Sequence, residues 1–289
     1  MSAVVVPAMP RLRKRFAIAA VALLPLAGAG AAAPDGAPIT YVEQPTGIPL
    51  DDYLRAWPAL EPEVSRLNRG ARQEVKADLV RLAAASTVTD GALNLLAQLD
   101  REDGALDEAE AFIDRAIASS PKQHLHRFQQ AMIFYAHLVK ATGSLERWKW
   151  HRRTRAAYEA AYALDPKPVP YRYYLANTYL QAPAIAGGDK EKAFRMTQEG
   201  IDMGRKEFYV IRADVHRLRG ETAAAFADYD RSIAENLFKL NSFLAAGDLA
   251  LARHDYARAK AYFEWAVRCR PDSPRTHEGL AKFKAAATP

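Results

Sequence analysis

The sequence predicts an all-α fold, a solenoid of antiparallel helix pairs with a capping helix at each end. Three observations carry this: a small, large, small side-chain frame that recurs along the chain, a proline closing several copies, and a step of 34 residues between the last two copies, from Ala225 to Ala259. Ala109, Ile113, Ala116 and Pro121 return as Ala259, Phe263, Ala266 and Pro271 with the same spacings of 4, 3 and 5. Thr154, Tyr158, Ala161 and Pro166 keep the frame; Ala225, Tyr229 and Ser232 keep it without the proline, and Ala193, Thr197 and Gly200 make a weaker copy. Small residues let a second helix approach closely, the large one fills the gap, and proline ends one helix and starts the next.

From the amino terminus, the elements follow in order. Residues 1–33 lack Asp and Glu; Arg11, Arg13, Lys14 and Arg15 precede the apolar run Phe16 to Ala33, which ends in small residues. This is the pattern of a Sec-type signal peptide, with Ala29 or Ala31 as the expected last residue removed. Pro25 and the Ala/Gly-rich second half make it a poor membrane anchor, though a retained anchor is the alternative. Removing those four basic residues takes the formal charge from +6 to +2, so the pI near 9.3 does not argue for nucleic acid. Residues 34–60 are proline-rich and expected to be extended. Val64, Leu67, Ala71, Val75, Leu79 and Leu82 recur at spacings of 3 and 4, predicting one amphipathic helix from Glu61 to Ala85 within an amino-terminal cap, 61–89. The solenoid, 90–289, then divides near 90–121, 122–166, 167–204, 205–237 and 238–271, with a capping helix at 273–286. Each framed helix has a partner upstream: Leu93, Leu96 and Ala97 before the first, Phe243, Ala246 and Gly247 before the last. Gly104 and Gly220 fall at turns between partners, where positive φ is needed.

These residues resemble the tetratricopeptide repeat, whose helix pair has a period of about 34 residues and carries a Leu-Gly or Leu-Ala pair, then Ala, Phe or Tyr, Ala and Pro. A step of 34 from Ala97 reaches Ala131, and Phe134 takes the family's aromatic place. The second repeat carries an insertion of about eleven residues and the turn PAIAGGD in the third one of five; Leu175, Ala176 and Tyr179, and finally Leu280 and Ala281, keep the register. The resemblance covers roughly residues 90 to 286. It implies that the first helix of each pair lines a concave groove that binds extended peptides or helices. Carried over residue by residue, the groove set is Asn94, Gln98 and Arg101, then Phe128, Met132 and Tyr135, then Tyr173, Asn177 and Gln181, then Asp214 and Arg217, then Asn241 and Asp248. The family's carboxylate-clamp subset needs Lys and Asn where this chain has Asn94 and Gln98, so capture of a C-terminal carboxylate is not expected.

Catalytic signatures are absent: no Gly-rich phosphate loop with Lys-Ser/Thr, no GxSxG, no HExxH and no Cys/His spacing for zinc. His124 and His126, two apart on a helix, face different ways. Cys269, the single cysteine, stands at a place that suits a small buried hydrophobe, and it cannot form an internal disulfide. Two segments stand out. In Arg147 to Arg155, the cations Arg147, Lys149, Arg152, Arg153 and Arg155 interleave with Trp148 and Trp150. That pattern fits an anion- or membrane-binding patch, or a long helix whose tryptophans cover a neighbour while its cations stay solvated. Gly187 and Gly188 ahead of Asp189 fit either an anion cradle or a structural turn capped by Asp189. The expected function is a non-catalytic, periplasmic interaction module or assembly adaptor that binds a protein or peptide partner, with no cofactor and no nucleic acid. The alternative is a membrane-surface or anionic-ligand binder using 147–155.

Overall fold

The computed structural model describes residues 39–41, 48–85 and 89–287. The expected signal segment lies outside them. Among the described residues are fourteen α-helices and one two-residue parallel bridge. Strand β1 is Thr40–Tyr41; α1, Leu50–Ala56, leads through a 3-10 turn at Pro58–Leu60 into α2, Glu61–Asn68, and α3, Arg72–Ala85. Five helix pairs follow: α4 (Thr89–Asp103) with α5 (Leu106–Ser119), α6 (His124–Lys140) with α7 (Ser144–Leu164), and α8 (Val169–Gln181) with α9 (Lys190–Asp202). Then come α10 (Phe208–Arg219) with α11 (Thr222–Ala234), strand β2 (Leu237–Phe238), and α12 (Leu240–Ala252) with α13 (Tyr256–Cys269). Helix α14, Pro274–Ala287, closes the array.

Every position of the small-large-small frame is buried in all five pairs, from Ala109, Ile113 and Ala116 to Ala259, Phe263 and Ala266. The small positions are the contact points. A Cβ on Gly247 would come within 2.5 Å of the Phe263 ring, so α12 and α13 cross closer than any other residue there permits. Gly104 and Gly220 have φ of +83° and +79° at the turns inside their pairs. Helices pack chiefly on their sequence neighbours. First helices also touch first helices of the next pair, α4 on α6, α8 on α10 and α10 on α12, with no comparable contact between successive second helices. The first helices therefore form the inner rank of the curve.

Two expectations need correction. The lead is not extended over 50–60: α1 forms there because Pro49 and Pro58 stand at element boundaries, Asp51 and Asp52 favour the helix start, and Tyr53, Trp57 and Leu60 bury against the first pair. The single helix from Glu61 to Ala85 is two helices. Gly70, at φ +87°, donates to the Leu67 carbonyl while Ala71 donates to Arg66, which closes α2, and the apolar 3/4 spacing runs on across that turn by coincidence of register. The all-α fold holds as expected; it is joined by one two-residue bridge, in which Thr40 and Tyr41 pair with Leu237 and Phe238 and Ile39 is buried with Phe238 in the carboxy-terminal core.

Candidate functional site

The inner surface starts with a section that the chain fills itself. Gln98 accepts from the Ile48 amide at 3.0 Å and donates to the Ile48 carbonyl at 3.2 Å, reading one residue's backbone at both ends. Tyr53, fully buried, donates to Asn94 Oδ1 at 2.6 Å. Asn94 Nδ2 lies 2.6 Å from His126 Nδ1, and His126 Nε2 is 3.3 Å from Asp90, so the neutral ring accepts from the amide and donates to the carboxylate. Trp57 stacks on His126 with centroids 5.5 Å apart. Asn94 and Gln98, expected to meet a partner, thus hold residues 48–57. Arg101 is buried among Tyr53, Tyr158 and Tyr174, and burial pulls its guanidinium below its usual range.

The second section is aromatic and closed. Phe128 stacks on Tyr171 at 4.6 Å and leans on Tyr158 and Tyr174; Tyr173 packs edge-on against Tyr174 and Phe208; Met132 Sδ accepts from Tyr158 at 3.1 Å. Phe128 and Tyr173 are buried and bind successive repeats to each other, and Met132 is buried within the second pair, a correction to their expected role as anchors for a partner; Tyr135 is half-buried. Large aromatics on successive first helices reach one another before they reach solvent.

The third section is polar and draws on three pairs. Asn177 Oδ1 accepts from Gln181 at 2.9 Å and from Lys239 at 3.1 Å. Asp214 accepts from Tyr229 at 2.7 Å, Ser242 at 2.6 Å, Lys239 at 3.3 Å and Arg217 at 3.5 Å. Asn177, Gln181, Asp214 and Arg217 are thereby joined into one network. Lys239, Ser242 and Tyr229, which the sequence reading missed, hold it together. Lys239 precedes the helix whose residues the family pattern assigns, and nothing in its neighbourhood marks it. Gln181 and Asn241 are exposed, and Asp248 pairs with Lys282 of α14 at 3.2 Å.

The basic segment lies on α7, whose 21 residues against 14 in α5 absorb part of the insertion. Trp150 is buried, stacked on His137 at 4.1 Å; Arg153 pairs with Glu110 and covers the Phe134 ring. Trp148 donates to the Ile185 carbonyl at 3.1 Å and Arg155 to the Gly187 carbonyl at 3.1 Å. Trp150, Arg153 and Arg155 are therefore fold contacts, which removes them from the expected patch; Lys149 and Arg152 remain exposed and Arg147 half-exposed. In the 183–189 turn Asp189 accepts from the Lys192 amide at 2.9 Å and caps α9, the structural reading of that turn.

Among the described residues no three His, Cys, Asp or Glu gather as metal ligands, and no helix is long and apolar enough to cross a membrane. Cys269 is buried and its thiol is pushed up to about 12 by desolvation. A cleft of about 300 Å³ between α7, α8 and α9 is lined by Glu159, Glu199, Lys192 and Arg195 among apolar and aromatic side chains.

Burial lowers the pKa of four histidines in the second pair, His124, His126, His137 and His151, and takes His126 down to about 4 against the pull of Asp90. A histidine kept neutral by the fold takes up its proton on unfolding. Its stabilising share is therefore whole above the ordinary value of 6.5 and is lost as pH falls through the folded value. His126 alone is expected to remove roughly 3 kcal/mol between pH 6.5 and about 4. Urea unfolding across that range checks this: His126→Gln should flatten the profile, and a profile unchanged by the substitution refutes it.

No family model matches the sequence, and a search of curated proteins returns no match. Solved structures do match. A tetratricopeptide repeat protein from Parabacteroides merdae is 18% identical with a TM-score of 0.52, covering 81% of this chain and 90% of its own. Pseudomonas aeruginosa pilF is 18% identical with a TM-score of 0.57, covering 80% and 98%. An assembly chaperone of RpL4, Acl4, is 14% identical with a TM-score of 0.54, covering 82% and 96%. With five stacked helix pairs, buried small-large-small frames and these neighbours, the chain has the tetratricopeptide-repeat fold.

Proposed function

We propose that this chain is a non-catalytic scaffold that holds an extended polypeptide segment of a partner along the inner surface of pairs three to five, after export across a membrane. The observation that carries the reading is the way Gln98 holds Ile48: an inner-rank amide already grips both backbone groups of one residue from outside the helix pairs. The polar section repeats that chemistry with amide and charged groups from α8, α10 and the start of α12, on helices ordered before any partner arrives, so binding does not include the cost of ordering the receptor. Gln181, Arg217 and Asn241 keep part of their surface open there. The assembly role of one structural neighbour is consistent with a scaffold and says nothing about which partner this chain meets. Export rests on the residue pattern of the first 33 positions.

The test is site-specific photocrosslinking in the native compartment. A benzophenone side chain at Gln181 or Asn241 should trap one polypeptide partner, lost on Asn177→Ala with Lys239→Ala; the same group at Glu264, exposed on α13, should not trap it. Equal trapping at Glu264, or none at the inner positions, would falsify the reading.

A further inference from the structure

The two insertions that break the repeat period meet in space. The longer one extends α7, and the shorter one makes the turn before α9; Trp148 and Arg155 of the first hold the Ile185 and Gly187 carbonyls of the second. Each insertion presents a large aliphatic side chain to solvent. Leu145 is 78% exposed and Ile185 83%, the highest values among the large hydrophobics of the described residues. Leu145, Trp148 and Arg152 follow at spacings of 3 and 4, so they share the face of α7 that carries the turn. The guanidinium of Arg152 lies 4.8 Å from the Trp148 ring, Lys149 is exposed beside it, and Arg147 is half-exposed. Glu146 is the one acidic residue of α7 before Glu159.

We infer that this joined edge docks on a membrane surface bearing anionic head groups. Exposed aliphatic tips, an interfacial tryptophan and a collar of cations are what a lipid–water boundary selects: the tips enter the acyl margin, the indole sits at head-group level, and the cations meet lipid phosphates. An acidic polypeptide would use the cations and leave Leu145 and Ile185 in water, and a purely apolar partner would leave the cations uncompensated. Both tips sit on elements braced by hydrogen bonds, so docking orders nothing new.

The test uses the full chain with a polarity-sensitive dye on Ile185→Cys. Cys269, buried with its thiol pushed up to about 12, does not compete for the label. Adding vesicles of phosphatidylcholine with phosphatidylglycerol at low salt should shift the emission to the blue, and vesicles of phosphatidylcholine alone should not. The dye on Glu264→Cys should stay unshifted, which separates docking of this edge from attachment through the amino-terminal segment. Lys149→Gln with Arg152→Gln should weaken the response about 25-fold, at about fivefold per cation. Leu145→Ser should weaken it about tenfold. Circular dichroism unchanged from wild type shows that the variants fold. No shift with anionic vesicles, an equal shift with neutral ones, or an unaltered response in both variants overturns the proposal. So does a shift produced by polyglutamate and not by vesicles, or one that grows with protein concentration alone, which would assign the edge to an acidic polypeptide or to a second copy of the chain.

Discussion

Replacing Phe263 with alanine is expected to lower the stability of the carboxy-terminal half by about 3–5 kcal/mol. Phe263 is the large residue of the last frame and is buried between two glycines: Gly247 on α12 and Gly279 on α14 each lack the Cβ that would fall within 2.6 Å of its ring. The two positions that face the ring most closely carry no side chain, so neither can fill the vacated space; Leu244 is the α12 side chain beside it. The ring also joins α12, α13 and the capping helix, so its loss loosens three elements together. Urea unfolding followed by circular dichroism measures the cost; a loss below about 1 kcal/mol would contradict the packing described. Phe263→Leu, which keeps most of the volume, should recover more than half of the difference.

Asp214→Ala is expected to cost about 3–5 kcal/mol and to disable the polar section of the inner surface. The carboxylate accepts from Tyr229, Ser242, Lys239 and Arg217, which belong to α10, α11, α12 and the residue before α12. Its removal leaves two cations facing each other with their shared counter-charge gone, and two buried hydroxyls with one acceptor fewer. Asp214→Asn keeps the shape and an acceptor and removes the charge, so it should cost less in stability while moving Lys239. Unfolding curves of the two variants separate the effects, and crosslinking at Gln181 reads the second. An Asp214→Ala protein as stable as wild type would mean that the network carries no load.

The frame of the solenoid was legible because close helix crossing imposes itself locally: Ala109, Ile113 and Ala116 must be small, large and small wherever two helices meet at that distance, and the requirement returns with each pair. The closed aromatic section was not, because Phe128 belongs to one repeat and Tyr171 and Tyr174 to the next, and no periodicity says which rings meet. The bond between Gln98 and Ile48 likewise joins residues with no relation in register. Proline content hid α1, since composition counts prolines and ignores that Pro49 and Pro58 mark ends. Both insertions were visible as breaks of the period. That they meet, and that Leu145 and Ile185 stand out beside the expected cations, depended on where the third pair places its turn.

The short bridge between Thr40–Tyr41 and Leu237–Phe238 changes how the array holds together. A repeat solenoid behaves as an open spring, each coil restrained only by its neighbours, and it can fray from either end. Here residues ahead of the first pair are tied to the junction of the fourth and fifth, so the spring has a tether and its pitch is set across several coils at once. The tether also orders events in time: β1 leaves the ribosome early and has nothing to pair with until Phe238 has followed. The amino-terminal strand is made first and seated last.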